Sequence, residues 1–360
     1  MKIIYLTTST TSPLFDELIS KGYKLNPAGQ NFHSKLITYL SKYEEVKVYS
    51  LPSLYLTLQD EGNYSYITFK SKITKKLFGV SKTLKLIEES IKKDDVIIFD
   101  STSVQLSKIA SILSKKGYKT VAILTDNPFN ITYQSNSVSK QIIENTSTSF
   151  ASISLTKELT SLFKLDSKPS LNILGIMENN APIASNLGNY IYFSGALFAK
   201  YGVKELLDAY LRAKPNLNLI IAGHGDMEVE IKSYSKSNKR IKYLGQISKE
   251  ENYKYESEAY LNINPRPYPS IYDLYSIPSK LIEYLSLSKH IASRYCSPLD
   301  KYFPISINLI EGSIYDFFIL HMDKENNLIN LKENDYLKTR KDFSGDKISK
   351  EIISFLKSLN

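Results

Sequence analysis

Short apolar runs rich in β-branched and aromatic residues alternate with helix-length amphipathic segments from one end of this chain to the other. That pattern constrains the fold more than any other feature, because it belongs to α/β domains built on parallel sheets. In the first half we expect strands at 2–8, 46–51, 95–100, 119–125, 150–154 and 171–175. Between the first two, Phe32, Leu36, Ile37 and Leu40 recur at helical spacing over 30–43. Residues 178–189 then break the alternation with turn-forming composition. It restarts with strands expected at 190–194, 217–222, 241–244, 259–264, 290–293 and 306–310. At 360 residues the chain can bury two cores. We therefore expect an α/β chain of two Rossmann-like domains, 1–185 and 186–345. A C-terminal helix over 346–360, with Ile348, Ile352, Ile353, Phe355 and Leu356 to bury, could return to the first domain.

Composition narrows the function classes. With 42% hydrophobic and 23% charged residues the chain is globular rather than disordered. The lone Cys296 cannot form an internal disulfide, and His33, His224, His290 and His321 show no metal-ligand spacing. We expect no metal, no cofactor and a cytoplasmic setting. Ile3-Ile4-Tyr5-Leu6 is too short for a signal peptide, and no run is long enough to span a membrane. The net charge of +9 is uneven: Lys70, Lys72, Lys75, Lys76, Lys82, Lys85, Lys92 and Lys93 are opposed locally only by Glu88 and Glu89. Phe69, Ile73, Leu77, Phe78, Leu84 and Leu86 lie among them. The mixture suits peripheral contact with an anionic membrane at the inner face of the cell, and equally a solvated lysine-rich face. No nucleic-acid-binding motif accompanies the charge.

Open α/β sheets bind ligands at the carboxyl ends of their strands. In the second half, Tyr192 to Gly202 is a strand followed by Gly195, which permits close backbone approach, and Lys200, a point charge for phosphate. Ile220-Ile221-Ala222-Gly223-His224-Gly225 ends a strand in a glycine turn, a weak signal alone, and His224 is not expected to be a base. Asn262-Ile263-Asn264-Pro265-Arg266 ends another strand on an arginine. Tyr275-Ser276-Ile277-Pro278-Ser279-Lys280-Leu281-Ile282-Glu283-Tyr284 then opens a helix, where Ser276 or Ser279 could cap the first amides. A helix start attracts an anion such as a diphosphate. Glu283 falls about one turn further, suited to accept hydrogen bonds from ribose hydroxyls.

Ser-Gly-Ala-Leu, Tyr-Gly-Val, Ala-Gly-His-Gly, Tyr-Leu-Gly, Asn-Pro-Arg and Tyr-Ser-Ile-Pro-Ser-Lys-Leu-Ile-Glu-Tyr-Leu, in that order over 190–295, resemble the family 4-type bacterial glycosyltransferases of polysaccharide synthesis. The resemblance implies the GT-B fold, two Rossmann-like domains facing each other across a cleft. It places the donor diphosphate at Ser276, Ser279 and Lys280, the ribose on Glu283, neutralising cations at Lys200 and Arg266, and the nucleobase beside Tyr243 and Leu244. Gly29, in Pro27-Ala28-Gly29-Gln30, matches the family's glycine-rich loop near the donor phosphate. Asp126 sits where relatives place a polar group near the acceptor, although an Asx-turn before Pro128 explains it equally well.

Two positions depart from the pattern: Ala196 replaces an arginine, and Tyr275 replaces the first of two glutamates. They leave the donor sugar unassigned. The family's activity is transfer from a nucleotide sugar, UDP-sugars favoured, to a glycan or lipid-linked acceptor, with retention and without a metal, in capsule or exopolysaccharide synthesis. A sugar-nucleotide epimerase of the same fold and a non-catalytic nucleotide-sugar-binding partner are the alternatives.

Overall fold

The computed structural model describes residues 1–23, 27–131, 134–179, 186–267 and 274–359, so half of the turn-rich stretch expected at 178–189 lies outside the described residues. Contacts divide the chain into two compact units. The first is Met1–Ile176 with Leu274–Ser276 and Gly345–Asn360, and the second is Met177–Asp273 with Ile277–Ser344.

The first unit runs β1 (Ile3–Thr7), α1 (Ser12–Ser20), α2 (Pro27–Leu40), β2 (Val46–Ser50), β3 (Tyr64–Tyr66), α3 (Lys72–Glu88), β4 (Val96–Asp100), α4 (Val104–Lys115), β5 (Lys119–Leu124), α5 (Asn136–Thr146), β6 (Ala151–Ser154), α6 (Lys157–Leu162) and β7 (Ser170–Asn172). All seven strands are parallel, in the order β3-β2-β1-β4-β5-β6-β7. The second unit runs β8 (Tyr190–Ala196), α7 (Val203–Ala213), β9 (Asn218–His224), α8 (Glu228–Ser237), β10 (Ile241–Tyr243), α9 (Lys249–Glu258), β11 (Leu261–Asn264), α10 (Ser279–Leu287), β12 (Ile291–Ser293), β13 (Ile307–Leu309), α11 (Ile314–Leu320) and α12 (Tyr336–Phe343). Its six parallel strands follow the same plan, β10-β9-β8-β11-β12-β13. The chain ends in α13 (Gly345–Ser358).

Both sheets are Rossmann-like, and the reason is visible in β1. Ile3 and Tyr5 enter one core cluster with Leu36 and Ile37 of α2, while Ile4 and Leu6 enter another with Leu106 and Ile109 of α4. A parallel strand covered on both faces by helices must be apolar throughout, which is why it reads as a run rather than an alternation. The C-terminal helix belongs to the first unit: Ile348, Ile352, Ile353 and Leu356 of α13 join the cluster on the α2 face. At its start Gly345 lies against Tyr39, where a β-carbon would meet the ring at 2.3 Å. The three-residue β3 was not expected from the sequence, since three residues carry no usable period.

In each sheet the strand order reverses beside the first strand, between β1 and β4 and between β8 and β11. Loops diverge there and leave a crevice at the carboxyl ends. The lysine-rich stretch resolves into α3, capped by Ser71. Phe69, Leu84 and Leu86 pack inward, which corrects their assignment to an outer face, whereas Ile73, Leu77 and Phe78 are 71%, 66% and 56% exposed. Lys75 donates to the carbonyls of Leu51 and Pro52 and is likewise not part of a solvated patch. No helix among the described residues is long and apolar enough to cross a membrane.

Candidate functional site

The crevice of the second unit is bounded by the ends of β8 and β11. Gly195, the penultimate residue of β8, is held at φ +150°, where a β-carbon would meet nothing nearer than Phe193 Cζ at 3.7 Å. Gly223 is its register partner on β9 and differs in kind: a β-carbon there would lie 1.9 Å from the Gly195 carbonyl oxygen. Gly223 is therefore required by backbone packing, and its N–H donates to the Gly245 carbonyl at 2.8 Å. Gly202, at φ +83°, plays the same part between the loops, since a β-carbon would meet the Pro265 carbonyl oxygen at 2.0 Å. The loop after β8 thus rests directly on the loop after β11.

This contact brings two cations to one place. The Lys200 ammonium lies 5.1 Å from the centroid of the Tyr201 ring and the Arg266 guanidinium lies 5.8 Å from the same centroid. Arg294, which sequence reasoning missed, braces the loop after β11: it donates to the Pro265 carbonyl at 3.0 Å and to Glu205 at 2.6 Å.

Helix α10 follows β11, so its first turn belongs to the same sheet edge. Pro278 is its N-cap residue and no side chain among the described residues caps it, which corrects the expected capping by Ser276 or Ser279. Ser279 is the exposed first helical residue, and Ser276 groups with the first unit. Lys280, to which the resemblance gives a phosphate role, is ion-paired within the second unit. Its ammonium sits between two carboxylates, 3.0 Å from Glu256 and 2.5 Å from Glu283, and is directed along the helix rather than beyond its start. Burial alone would lower its pKa, but the two carboxylates outweigh burial and raise it.

Glu256 was not foreseen. It is wholly buried on the inner face of α9, and its Oε1 accepts from Ser194 of β8 (3.2 Å), Asn252 (2.8 Å) and Lys280 (3.0 Å). Tyr192 donates to Asn252 in turn, at 3.0 Å. Burial pushes Glu256 up to about 8, against the pull of Lys280. The available signal was that Asn252, Tyr253 and Glu256 share one helical face, all buried, inverting the usual polarity of a surface helix.

Tyr243 donates to the Gly223 carbonyl at 2.9 Å, and Leu244 packs with Tyr192, Ile220 and Ala222. His224 is exposed, with its Nδ1 against the Glu228 carboxylate. In the first unit Gly29 lies in the first turn of α2 and not in a loop, because Pro27 can open a helix. Gln30 Nε2 donates to the Thr10 carbonyl at 2.6 Å. One turn on, His33 Nδ1 is 2.8 Å from the Tyr5 hydroxyl and His33 Nε2 is 3.6 Å from Asp100 at the end of β4. Burial would raise the Asp100 pKa, but His33 and the hydrogen bonds from Thr102 hold it below the usual value. Asp126 is exposed after β5, and the Asx contact before Pro128 is made by Asn127, which accepts from Phe129 N–H at 2.9 Å. Among the described residues no cluster of His, Cys, Asp and Glu could hold a metal ion.

No protein-family profile matches the chain, and no curated protein sequence matches it. Solved structures do. HepE of Anabaena in complex with UDP is similar at TM-score 0.67 and 14% identity over 99% of this chain and 100% of that one. The trehalose-6-phosphate synthase OtsA is similar at TM-score 0.67 and 11% identity, covering 99% of both chains. AviGT4, a glycosyltransferase of avilamycin A biosynthesis, is similar at TM-score 0.62 and 11% identity, covering 100% of this chain and 98% of that one. The fold is that of the GT-B glycosyltransferases, with two Rossmann-like parallel sheets of seven and six strands.

Proposed function

We propose that this chain is a glycosyltransferase that moves a sugar from a nucleoside-diphosphate donor, UDP-sugars favoured, to a glycan or lipid-linked acceptor. The observation that carries it is the convergence of Lys200 and Arg266 on one aromatic ring at the carboxyl edge of the second sheet. The same edge holds a helix start that no side chain among the described residues caps. Negative charge grows on the diphosphate as the glycosidic bond loosens, and fixed cations with helix amides stabilise it where it develops. In this scheme the amide of Ser279, Lys200 and Arg266 receive the diphosphate, and Gly195 lets it approach the backbone. Glu283 receives the ribose, and the backbone at Tyr243 and Leu244 receives the base. No divalent metal is required by that arrangement. Asp126 is our acceptor-side candidate and Gly29 our candidate for a further approach to the phosphate, both on family resemblance alone.

Retention of configuration and a role in capsule or exopolysaccharide synthesis belong to the same proposal, as does a cytoplasmic location. Peripheral contact with an anionic membrane is supported by Ile73, Leu77 and Phe78 on the outer side of α3, among Lys70, Lys72 and Lys76.

The test is to titrate UDP and UDP-sugars and to follow UDP release with and without lipid-linked glycan acceptors. We expect acceptor-dependent release, and weaker UDP binding in Arg266→Ala and Lys200→Ala. Interconversion of sugar nucleotides without acceptor would make the chain an epimerase, and binding without turnover would make it a partner protein. Unchanged UDP affinity in both variants would remove the donor site from this edge.

A further inference from the structure

Glu256 is an acid with no place in the scheme above, yet it sits behind that scheme's ribose ligand. Three donors from three elements converge on its Oε1: Ser194 at the end of β8, Asn252 one turn earlier on α9, and Lys280 in the first turn of α10. Its Oε2 is buried and meets no hydrogen-bond partner among the described residues, so the anion would lack the donors it needs on that oxygen, and burial favours the neutral acid. Among the described residues Lys280 is the cation bonded to it, and that ammonium simultaneously grips Oε2 of Glu283. With Glu256 neutral, Lys280 and Glu283 balance; ionising Glu256 leaves one uncompensated negative charge under the donor site.

We propose that Glu256 is a positioning residue for donor binding: it holds the Lys280 ammonium, and Lys280 in turn fixes the Glu283 carboxylate from its buried side. The proposal rests on Glu283 being the ribose ligand. It replaces the phosphate role of Lys280 with an orienting one, and ties the first turn of α10 to the end of β8 through a single buried carboxyl. Among the described residues the titratable groups facing Glu256 are Lys280, Glu283 and Tyr284 of α10, Tyr192 of β8 and, on its own helix, Tyr253. Burial raises all three tyrosines, and the carboxylates raise Lys280, so these four lie above the range in which Glu256 ionises.

The experiment is calorimetric titration of the full chain with UDP, from pH 7 to pH 9, in wild type, Glu256→Gln, Lys280→Met, Glu283→Ala and the double variant Lys280→Met/Glu283→Ala. Glu283→Ala should lose about ten-fold or more in affinity. Lys280→Met should lose several-fold alone and nothing further on top of Glu283→Ala, because it acts only through that carboxylate. Wild-type affinity should fall as pH rises through about 8 while that of Glu256→Gln stays level, since glutamine keeps the acceptor and cannot ionise. Additive losses for Lys280→Met and Glu283→Ala would reduce the cluster to a structural brace and overturn the proposal, as would parallel pH profiles in wild type and Glu256→Gln. Unaltered UDP binding in Glu283→Ala would instead remove the ribose assignment, and this proposal with it. Glu256→Gln preserves shape and hydrogen bonding, so the pH comparison stands even where bulkier changes unfold the domain.

Discussion

Gly195 and Gly223 face each other in one register pair, and adding a methyl group to each in turn separates a glycine needed for packing from one needed for a ligand. In Gly223→Ala the new carbon would stand 1.9 Å from the Gly195 carbonyl oxygen and 3.3 Å from its nitrogen, both backbone atoms that cannot rotate away. The site also holds φ +132°, which an L-residue resists by roughly 1–2 kcal/mol. Overpacking typically adds about 1–3 kcal/mol, so the substitution should cost about 2–5 kcal/mol, a large share of a domain stability of about 5–15 kcal/mol. Gly195→Ala carries the backbone strain of φ +150° but meets only Phe193 Cζ at 3.7 Å, so its cost should stay near 1–2 kcal/mol. The assay is urea unfolding followed by far-UV circular dichroism, with UDP titration of the material that folds. We expect Gly223→Ala to shift the unfolding midpoint the further of the two, and Gly195→Ala to weaken UDP binding beyond its effect on stability. Equal destabilisation by the two alanines would refute the packing distinction, and full UDP affinity in Gly195→Ala would refute the close approach of a ligand there.

Three other outcomes are expected. Asp100→Asn breaks a buried contact with His33 and should destabilise the first unit by about 3 kcal/mol near neutral pH. Because the folded Asp100 pKa lies below its ordinary 3.8, that stabilisation is complete above pH 3.8 and disappears as pH falls through the lower folded value. Wild type and variant should therefore converge in acid melts, and a constant gap would refute the ionic origin. Arg266→Lys should bind UDP more weakly than wild type although the charge is kept, since an ammonium cannot reproduce a two-pronged contact; equal affinity would show that only charge matters there. Replacing Ile73, Leu77 and Phe78 by serine should abolish flotation with anionic vesicles at low salt while leaving UDP binding intact. Vesicle binding that survives this triple change would place the membrane contact elsewhere.

The sequence by itself determined the architecture. Eleven of the thirteen strands among the described residues lie within two residues of where apolar runs placed them, because a parallel strand buried on both faces must be apolar along its whole length; β7 ends three residues early and β3 was not expected. The same logic exposed α13, whose apolar residues recur at helical spacing. It also located the ends of β8 and β11, since loops after strands are where α/β sheets carry their ligands.

What only the tertiary structure decided is which polar groups meet. Lys280 carries a positive charge at a helix start in the sequence, but the packing of α9 against α10 puts a buried carboxylate, 24 residues away, against its ammonium. Ser194 and Glu256 are 62 residues apart and join only because α9 returns to the end of β8. Gly195 and Gly223 look alike as letters and differ only in which one has another backbone at the position of its missing side chain. Asp126 and Asn127 are adjacent and both suited to a turn, and the structure shows Asn127 accepting from the Phe129 N–H. Burial by distant elements is a property of the assembled sheet: periodicity reports that a residue has an inside and an outside, while the partner waiting on the inside is chosen by topology.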